Sequence, residues 1–297
     1  MPKTAFQGIS GSYSEAALIA LGGQYGQLGA LEPIGLETFE KCFEAVNSRT
    51  VDLAFLPFEN SMNGTFHKNY DLLLTSGLII VGEWSSRETH VLAALPGATL
   101  QNIREIRSQS EVIQQCSKFL SSLTNVNVIQ GFDTAGSASY IQTNSLHNAA
   151  AICSELAAQR YGLTSLLKVG IEDDVNVTRY LLIGRQPVQP QRHESPRTSV
   201  SVVLKNIPGA FFRALSCFSL RDLNISKIES RASARTITLS TPWEYVLYID
   251  VDGSTSDTAV ARAVANLEEY GVVKVLGSYP RYIPSIDAPL SHRGIGL

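Results

Sequence analysis

Short apolar runs alternate with amphipathic helical segments through the first two thirds of the chain. Strands are expected at 4–6, 53–56, 78–82, 91–94, 126–129 and 180–183. Helices are expected from about residue 12 and at 39–46, 69–74, 112–123, 134–143 and 154–161. Strands that alternate with helices of this length need crossover connections, so the pattern predicts an α/β region with mainly parallel sheets.

The order of elements changes in the last third of the chain. Strands are expected at 199–204, 225–230, 245–251 and 272–279, with helices at 211–220 and 256–269. This βαββαβ order is typical of a small α+β unit. Each helix carries one apolar face, which predicts a sheet covered on one side by two helices. The other face of that sheet is then expected to be free to pair with a second subunit.

A polar, proline-rich segment separates the two regions. Residues 186–196 read QPVQPQRHESP and hold three of the twelve prolines. At about 100–200 residues per domain, 297 residues favour two domains. We predict an N-terminal domain over 1–186, a linker over 187–196, a C-terminal domain over 197–281 and a loose tail over 282–297.

Composition and charge narrow the possible functions. Apolar residues make up 44% and charged residues 17%, which indicates an ordinary globular protein with a sizeable core. The 24 basic and 27 acidic residues give a net charge of −3 without a basic block, so nucleic acid is not an expected partner. No apolar run reaches the ~18–20 residues of a membrane helix. Because Met1-Pro2-Lys3 leads directly into folded-looking sequence, a cytoplasmic protein without a membrane partner is expected.

The cysteines and histidines give no sign of a metal or thiol site. None of the four Cys forms a Cys-x-x-Cys pair, which suits a reducing compartment better than a disulfide framework. The five His show no ligand spacing. Neither a metal nor a cofactor is therefore expected.

A turn rich in glycine and serine joins the first strand to the first helix. It reads Gly8-Ile9-Ser10-Gly11-Ser12-Tyr13-Ser14-Glu15. Glycines permit a tight turn, and Ser12 can cap a helix whose open N–H groups attract an anion such as a carboxylate. The third glycine of a dinucleotide fingerprint is missing. Taken alone, the motif is more often a plain turn.

Three further polar segments adjoin predicted elements. Glu59-Asn60-Ser61, with Gly64 and Thr65 soon after, follows a strand at the end where ligands bind in open α/β sheets. Asp133-Thr134 opens a helix, and Thr178-Arg179 begins a late strand with an Arg suited to bidentate carboxylate binding. Each also has a structural explanation. The first two provide helix caps, and the last is a β-prone threonine beside a surface cation.

Seven segments, in order over residues 4–281, together resemble one protein family. They read TAFQGISGSYSEAAL, LPFENSMNGTFHKNYDLL, DTAGSA, EDDVNVTRYLLIG, PGAFFRALSCF, KIESR and PWEYVLYIDVDG. The chain resembles a prephenate dehydratase with a C-terminal ACT regulatory domain, a family that includes the plant arogenate dehydratases. Because the segments span nearly the whole chain, the resemblance is far more specific than any single motif.

The resemblance implies a fold and a reaction. The catalytic domain would have two lobes like a type II periplasmic binding protein, about 1–83 plus 165–186 and 84–164, followed by a ferredoxin-like βαββαβ ACT domain. The chain would cross the cleft twice and bring the polar segments together. The implied reaction is decarboxylation and dehydration of prephenate to phenylpyruvate in phenylalanine biosynthesis. Since the pattern already starts at Thr4, a monofunctional enzyme is expected.

The resemblance also implies roles for individual residues. Thr178 would act as the acid or donor at the departing ring hydroxyl, and because a free threonine is a poor acid, we expect a network with Glu59 or Asp133. Arg179 would hold a substrate carboxylate. The other expected substrate-binding residues are Ser12, Tyr13, Ser14, Asn60, Ser61, Gly64, Thr65 and Thr134.

Regulation is expected at the C-terminal domain. The family's phenylalanine site lies between two segments of neighbouring subunits, which are Gly209-Ala210-Phe211 and Glu229-Ser230-Arg231 here. Phe211 stands where the family has Leu, and Ala232 where it has Pro. Inhibition by L-phenylalanine is expected, through a pocket whose shape these two substitutions change. A homodimer or homotetramer is expected. Ser108-Gln109-Ser110-Glu111 replaces the family's Ser-His-Pro-Gln, which indicates a supporting loop.

Two alternatives remain open. The N-terminal residues and the NYDLLL segment resemble the plant type, so the second candidate is an arogenate dehydratase that forms L-phenylalanine. A non-catalytic amino-acid sensor would use the same fold, although the Thr178-Arg179 pair speaks against it. A secreted solute-binding protein is not expected, because the sequence shows no signal segment.

Overall fold

The computed structural model describes residues 1–24, 30–169, 176–190, 194–205, 207–232 and 245–282. In chain order, its elements are β1 (Lys3–Gln7), α1 (Tyr13–Gln24), β2 (Glu32–Leu36), α2 (Phe39–Asn47), β3 (Leu53–Asn60), β4 (Gly64–Thr65), α3 (His67–Ser76), β5 (Ile79–Arg87), β6 (His90–Ala94), a 3-10 turn (Leu100–Asn102), β7 (Glu105–Ser108), α4 (Ser110–Gln115), α5 (Ser117–Ser121), β8 (Asn127–Gln130), α6 (Thr134–Thr143), β9 (Ala149–Cys153), α7 (Glu155–Arg160), β10 (Thr164–Val169), β11 (Val177–Gly184), β12 (Arg197–Leu204), α8 (Ala210–Ser219), β13 (Ile225–Ala232), β14 (Tyr245–Asp252), α9 (Thr258–Leu267), β15 (Gly271–Tyr279) and β16 (Arg281–Tyr282).

The first lobe is built around a sheet with the strand order β16-β5-β11-β3-β1-β2, and β4 pairs with β3. β1 runs parallel to β2 and β3, whereas β11 lies antiparallel between β3 and β5. α1 packs on one face through Leu18, and α2 and α3 pack on the other through Phe43 and Leu73. Ala5 and Phe6 belong to these two separate cores, as the two-residue period of a strand requires.

The second lobe has a sheet with the order β10-β6-β9-β7-β8. β7 is parallel to β8 and β9, but β6 is antiparallel to β9 and β10. The prediction of mainly parallel sheets is therefore wrong. β6 and β11 each enter a sheet directly after the chain crosses between lobes, so they run against their neighbours. The helix expected over 112–123 is two helices, α4 and α5, which meet at Cys116.

The chain passes between the lobes at two places that differ from the expected boundaries. β5 continues to Arg87 in the first lobe, and β6 begins at His90 in the second. β10 pairs with β6, so residues 164–169 belong to the second lobe and not, as expected for 165–169, to the first. The backbone N–H of Glu88 donates to the carbonyl of Asn176 at 2.8 Å, which places the two passages side by side.

The C-terminal domain confirms the predicted βαββαβ order and has the strand order β13-β14-β12-β15. α8 and α9 cover one face of this sheet through residues such as Phe218 and Leu267. The expectation that the other face is free is wrong, because Val246, Tyr248 and Leu276 share the core of the first lobe. These strands carry apolar residues on both faces, so the second face packs within the same chain.

The chain returns to the first lobe after the C-terminal domain. Tyr282, expected to begin a loose tail, lies in β16, which pairs in parallel with β5 opposite Trp84. Its side chain is buried against the core that contains Leu18. The rest of the expected tail, 283–297, lies outside the described residues, as does part of the expected linker, 191–193.

Candidate active site

A cleft lies between the two lobes. The walls come from the loop before α1, the ends of β3 and β11, the first passage between the lobes and the start of α6. The lining residues are Gln7, Gly8, Ser12, Tyr13, Ser14, Phe39, Pro57, Asn60, Asn63, Phe66, Glu88, Gln109, Asp133, Thr134, Thr178 and Tyr180.

The N-termini of α1 and α6 reach the cleft from opposite lobes. Ser12 accepts a hydrogen bond from the backbone N–H of Glu15 at 3.3 Å, and Asp133 accepts one from the N–H of Gly136. Thr134 lines the cleft in the first turn of α6. Helix N-termini carry partial positive charge and unpaired N–H groups, which favour bound anions. The two helix ends therefore suit a ligand with carboxylate groups.

Gly11 fixes the turn before α1 against the second lobe. Its φ is +90°, and a Cβ placed there would lie 2.7 Å from the Cα of Ala157 in α7. The hydroxyl of Ser154 donates to the carbonyl of Gly11 at 2.6 Å. Arg160 adds an ion pair of 2.8 Å to Glu15 in α1. The turn thus joins the two lobes at one side of the cleft.

Thr178 and Tyr180 hold a half-buried carboxyl group at the floor of the cleft. The Thr178 hydroxyl lies 2.6 Å, and the Tyr180 hydroxyl 3.1 Å, from the same oxygen of Glu88. Burial raises the pKa of Glu88, and the two hydroxyl groups only partly offset this rise. A carboxyl group whose pKa is raised keeps its proton to higher pH than a free carboxyl group does, and it can release that proton in a reaction.

Glu88 was not among the residues expected from the sequence. It lies outside the matching segments, in the passage between β5 and β6. The sequence signal that could have found it was its position between the predicted strands of the two lobes, next to the cleft. The expected network partners of Thr178 were instead Glu59 and Asp133. Asp133 lines the cleft but serves as the cap of α6, and Glu59 lies elsewhere.

Asn60 fixes the orientation of the Thr178 hydroxyl. The side-chain oxygen of Asn60 accepts from the backbone N–H groups of Met62 and Asn63, both at 2.9 Å. Its amide nitrogen must therefore face the other way, and it donates to the Thr178 hydroxyl at 2.8 Å and to the Asn176 side-chain oxygen at 2.6 Å. One lone pair of Thr178 is thus occupied.

The same chain of hydrogen bonds continues to Tyr13 at the opposite wall. Asn176 donates to the side-chain oxygen of Gln115 at 3.2 Å, and His90 Nε2 lies 2.8 Å from that oxygen. Because this oxygen only accepts, Nε2 carries the proton and Nδ1 accepts from the Tyr13 hydroxyl. Burial lowers the pKa of His90, which favours this neutral form. Tyr13 therefore presents oxygen lone pairs to the cleft.

Arg179 and Glu59 do not face the cleft. Successive strand residues point to opposite faces, and Arg179 lies between Thr178 and Tyr180, which both line the cleft. Its guanidinium contacts Glu59 at 3.0 Å and other acidic groups on the far side of the sheet. The expectation that Arg179 holds a substrate carboxylate, with Glu59 beside Thr178, is corrected by this geometry.

Ser61, Gly64 and Thr65 lie beside the cleft and do not line it. The backbone N–H of Ser61 donates to the carbonyl of Val177 at 2.9 Å, and its hydroxyl accepts from the N–H of Val177 at 3.0 Å. Gly64 and Thr65 border a second cavity next to the cleft. The Thr65 hydroxyl donates to Glu229 of the C-terminal domain at 2.9 Å. These residues support neighbouring segments.

The expected regulatory residues fall on two parts of the C-terminal domain. Gly209, with φ +75°, precedes Ala210 at the start of α8, and Phe211 is 46% exposed. Glu229 and Ser230 lie on β13, where Arg231 donates to Asp71 of α3 at 2.7 Å. The β13 segment therefore touches the catalytic lobe directly.

Residues 4–188 match the family model for prephenate dehydratase. The match covers more than half of the chain and includes every described segment that lines the cleft. This chain belongs to the prephenate dehydratase family. The predicted family and the predicted fold class are both confirmed. Membership makes the chain a dehydratase of phenylalanine biosynthesis.

Named relatives extend the likeness beyond the catalytic domain. Arogenate dehydratase/prephenate dehydratase 2, chloroplastic, from Arabidopsis thaliana is 38% identical over 284 residues, which cover 94% of this dehydratase and 72% of the relative. A prephenate dehydratase from Arthrobacter aurescens, solved in complex with L-Phe, is 31% identical with a TM-score of 0.81 and covers 94% of this chain and 90% of its own. A solved protein described as GqqA, a novel type of quorum quenching acylase, is 28% identical with a TM-score of 0.82 over 94% and 98% of the two chains.

The dehydratase cleft is polar but contains no Lys or Arg among its described lining residues. Glu88 and Asp133 contribute acidic groups instead.

Across the described ranges, no cluster of His, Cys, Asp and Glu is arranged to hold a metal ion. None of the helices described is long and apolar enough to cross a membrane.

Proposed function

We propose that this dehydratase converts prephenate to phenylpyruvate in the cleft between its lobes. The observation that carries the proposal is the group formed by Thr178, Glu88 and Tyr180 on the cleft floor. Prephenate carries a ring carboxylate and a ring hydroxyl at opposite positions. The bond from the ring to the carboxylate breaks to release carbon dioxide, its electrons make the ring aromatic, and the hydroxyl leaves as water. The enzyme must supply one proton to that hydroxyl.

A relay from Glu88 through Thr178 provides the proton. In its protonated form, Glu88 donates to the Thr178 oxygen, which turns the Thr178 hydroxyl proton toward the substrate. Asn60 already donates to that oxygen, so the proton of Thr178 remains as its one group to offer. As water leaves, the proton of Glu88 passes to Thr178. The carboxylate that remains is stabilised by the Tyr180 hydroxyl at 3.1 Å.

The substrate carboxylates bind at helix ends in this proposal. The N-termini of α1 and α6, with Ser12, Ser14 and Thr134, supply N–H and hydroxyl donors. Arg179 has no direct part in binding, because its guanidinium lies on the other face of the sheet. Local partial charges thus replace a fixed cation near the ligand.

Arogenate is the second candidate substrate. It differs from prephenate by an ammonium group in place of the side-chain keto group, and curated relatives are named for both activities. The Asp133 carboxylate in the cleft lining, together with the acceptor oxygen of Tyr13, favours a ligand that carries a positive group. Supplying purified protein with each substrate, and measuring phenylpyruvate and L-phenylalanine separately, tests the assignment. Activity on neither would remove the enzyme proposal and leave the sensor alternative.

Regulation by L-phenylalanine is part of the proposal. A solved relative that is 31% identical is named as a complex with L-Phe. The Gly209-Ala210-Phe211 and Glu229-Ser230-Arg231 segments are the proposed site, shared between subunits of a homodimer or homotetramer. Light scattering at micromolar concentration tests the assembly, and a monomer mass would contradict it.

The compartment is also a proposal. The sequence favours the cytoplasm, whereas the Arabidopsis relative is named chloroplastic, which supports a plastid. Fractionation of the source cells, followed by detection of this chain, distinguishes the two.

A further inference from the structure

The face of β11 that points away from the cleft carries a buried cation directly between the two residues that hold Glu88. Thr178 and Tyr180 contact Glu88 on the cleft side, and Arg179 lies on the reverse side with 8% exposure. The three residues are consecutive in one strand. Any displacement of the backbone at Arg179 therefore moves both hydroxyl groups at Glu88.

Acidic groups from both domains hold the guanidinium of Arg179. One nitrogen lies 2.7 Å from Asp250 and 3.0 Å from Glu59, and the other lies 2.9 Å from Glu83. Asp250 belongs to β14. The guanidinium nitrogen that faces Glu83 also donates to the hydroxyl of Tyr279 in β15 at 3.1 Å. Arg179 therefore joins the strand of the catalytic threonine to the C-terminal sheet.

A second link reaches the same cluster from β13. The ammonium of Lys227 contacts Glu59 and lies 2.9 Å from Glu229. Glu229 in turn belongs to the segment proposed for phenylalanine binding. Lys227 and Glu59 thus connect that segment to Arg179 by direct contacts.

The strand pairing is irregular at this point. Arg179 pairs with Glu59, but the next residue, Tyr180, pairs with Pro57, so Phe58 is an extra residue in β3. Such a bulge bends a strand and changes the direction of its side chains. The geometry of Thr178 and Tyr180 is therefore sensitive to how the bulge is held.

We propose that Arg179 is a positioning residue for the dehydratase reaction, through which the placement of the C-terminal sheet sets the hydrogen bonds of Thr178 and Tyr180 to Glu88. The inference rests on the proposed function of the cleft. A buried cation keeps its position only while its acidic partners stay in place. Loss of Asp250 on the far side of the sheet therefore acts on the cleft through Arg179.

The test compares Arg179→Lys and Asp250→Asn in the full chain with a matched control. Lys274→Met removes a contact of 2.7 Å to the carbonyl of Leu74 across the same interface, at a residue that is not among the partners of Arg179. The first two variants are expected to lower kcat about tenfold with KM within about twofold. They are also expected to move the basic limb of the pH profile, and the double variant should resemble the single ones. The control should leave all of these values unchanged.

Two results would overturn the proposal. If Arg179→Lys raises KM and leaves kcat unchanged, Arg179 binds substrate directly. If Asp250→Asn behaves like Lys274→Met, the C-terminal sheet does not act on the cleft. Should Asp250→Asn fail to fold, Tyr279→Phe removes the hydroxyl that contacts Arg179 at 3.1 Å and Ser199 at 2.6 Å, and it is expected to shift kcat and the pH profile in the same direction. Wild-type protein inactive on both substrates would instead contradict the proposed function.

Discussion

The hydroxyl of Thr178 and the carboxyl of Glu88 lie 2.6 Å apart, although the two residues are 90 positions apart in the sequence. Each sits where the chain passes from one lobe to the other. The proposed proton relay therefore lies beside the two passages between the lobes.

Loss of the Thr178 hydroxyl should slow the reaction without weakening substrate binding. Thr178→Ala removes the hydroxyl that receives bonds from Asn60 and contacts Glu88, so kcat is expected to fall at least about a hundredfold with KM little changed. Thr178→Ser keeps the hydroxyl and should retain most of the activity. Steady-state rates measure both variants, and a mild effect of the alanine would remove Thr178 from the mechanism.

Gly11 should control the contact between the lobes. Gly11→Ala places a Cβ 2.7 Å from the Cα of Ala157 and is expected to cost about 2–4 kcal/mol in the free energy of unfolding. Gly97→Ala is the matched control, because Gly97 also has a positive φ, of +87°, but open space around it. The control should cost only about 1 kcal/mol. Equal losses in urea unfolding would show that backbone strain alone is at work.

His90 should make the fold sensitive to acid. Burial lowers its pKa in the folded protein, so the unfolded chain binds a proton first as the pH falls. The stability from neutral His90 is present above its ordinary pKa of about 6.5 and is lost as the pH falls toward the folded value. His90→Gln should make this loss of stability between about pH 8 and pH 5 smaller. Urea unfolding at both pH values measures this loss in the free energy of unfolding. A loss in the variant as large as in the wild type would contradict this role.

L-phenylalanine should bind and stabilise the protein. A hundredfold excess over Kd is expected to raise the free energy of unfolding by about 2.7 kcal/mol. Calorimetric titration and thermal unfolding with added L-phenylalanine measure these effects, with D-phenylalanine as the control. Neither heat nor protection would end the proposal of regulation at Gly209-Ala210-Phe211.

The sequence predicted Thr178, Asn60 and the two helix starts as cleft residues, and the structure brings these groups together. Asn60 and the two helix starts lie at or just after the carboxyl ends of strands in the two lobes, and Thr178 lies beside Asn60 because β11 runs antiparallel to β3. The two-residue period of a strand also separates Arg179 from Thr178, yet sequence alone does not say which face meets the ligand. That choice depends on how the C-terminal sheet packs.

Glu88 and the second face of the C-terminal sheet depend on tertiary structure. Glu88 follows a strand that extends to Arg87, beyond the predicted 78–82, so its place in the passage between lobes was hidden. Val246 and Tyr248 look like ordinary strand residues, and no local pattern shows that the first lobe covers them. Both features arise from contacts between segments far apart in the chain.

The most direct test of the relay is the pH dependence of kcat/KM for wild-type protein and Glu88→Gln. The relay needs protonated Glu88, so wild-type activity should be high below the raised pKa of Glu88 and fall above it. Glu88→Gln keeps the shape of the side chain but carries no acidic proton. It should lower kcat about 10²–10⁴-fold and remove the basic limb of the profile. A variant that keeps wild-type rates and the same basic limb would contradict the role of Glu88 as the proton source.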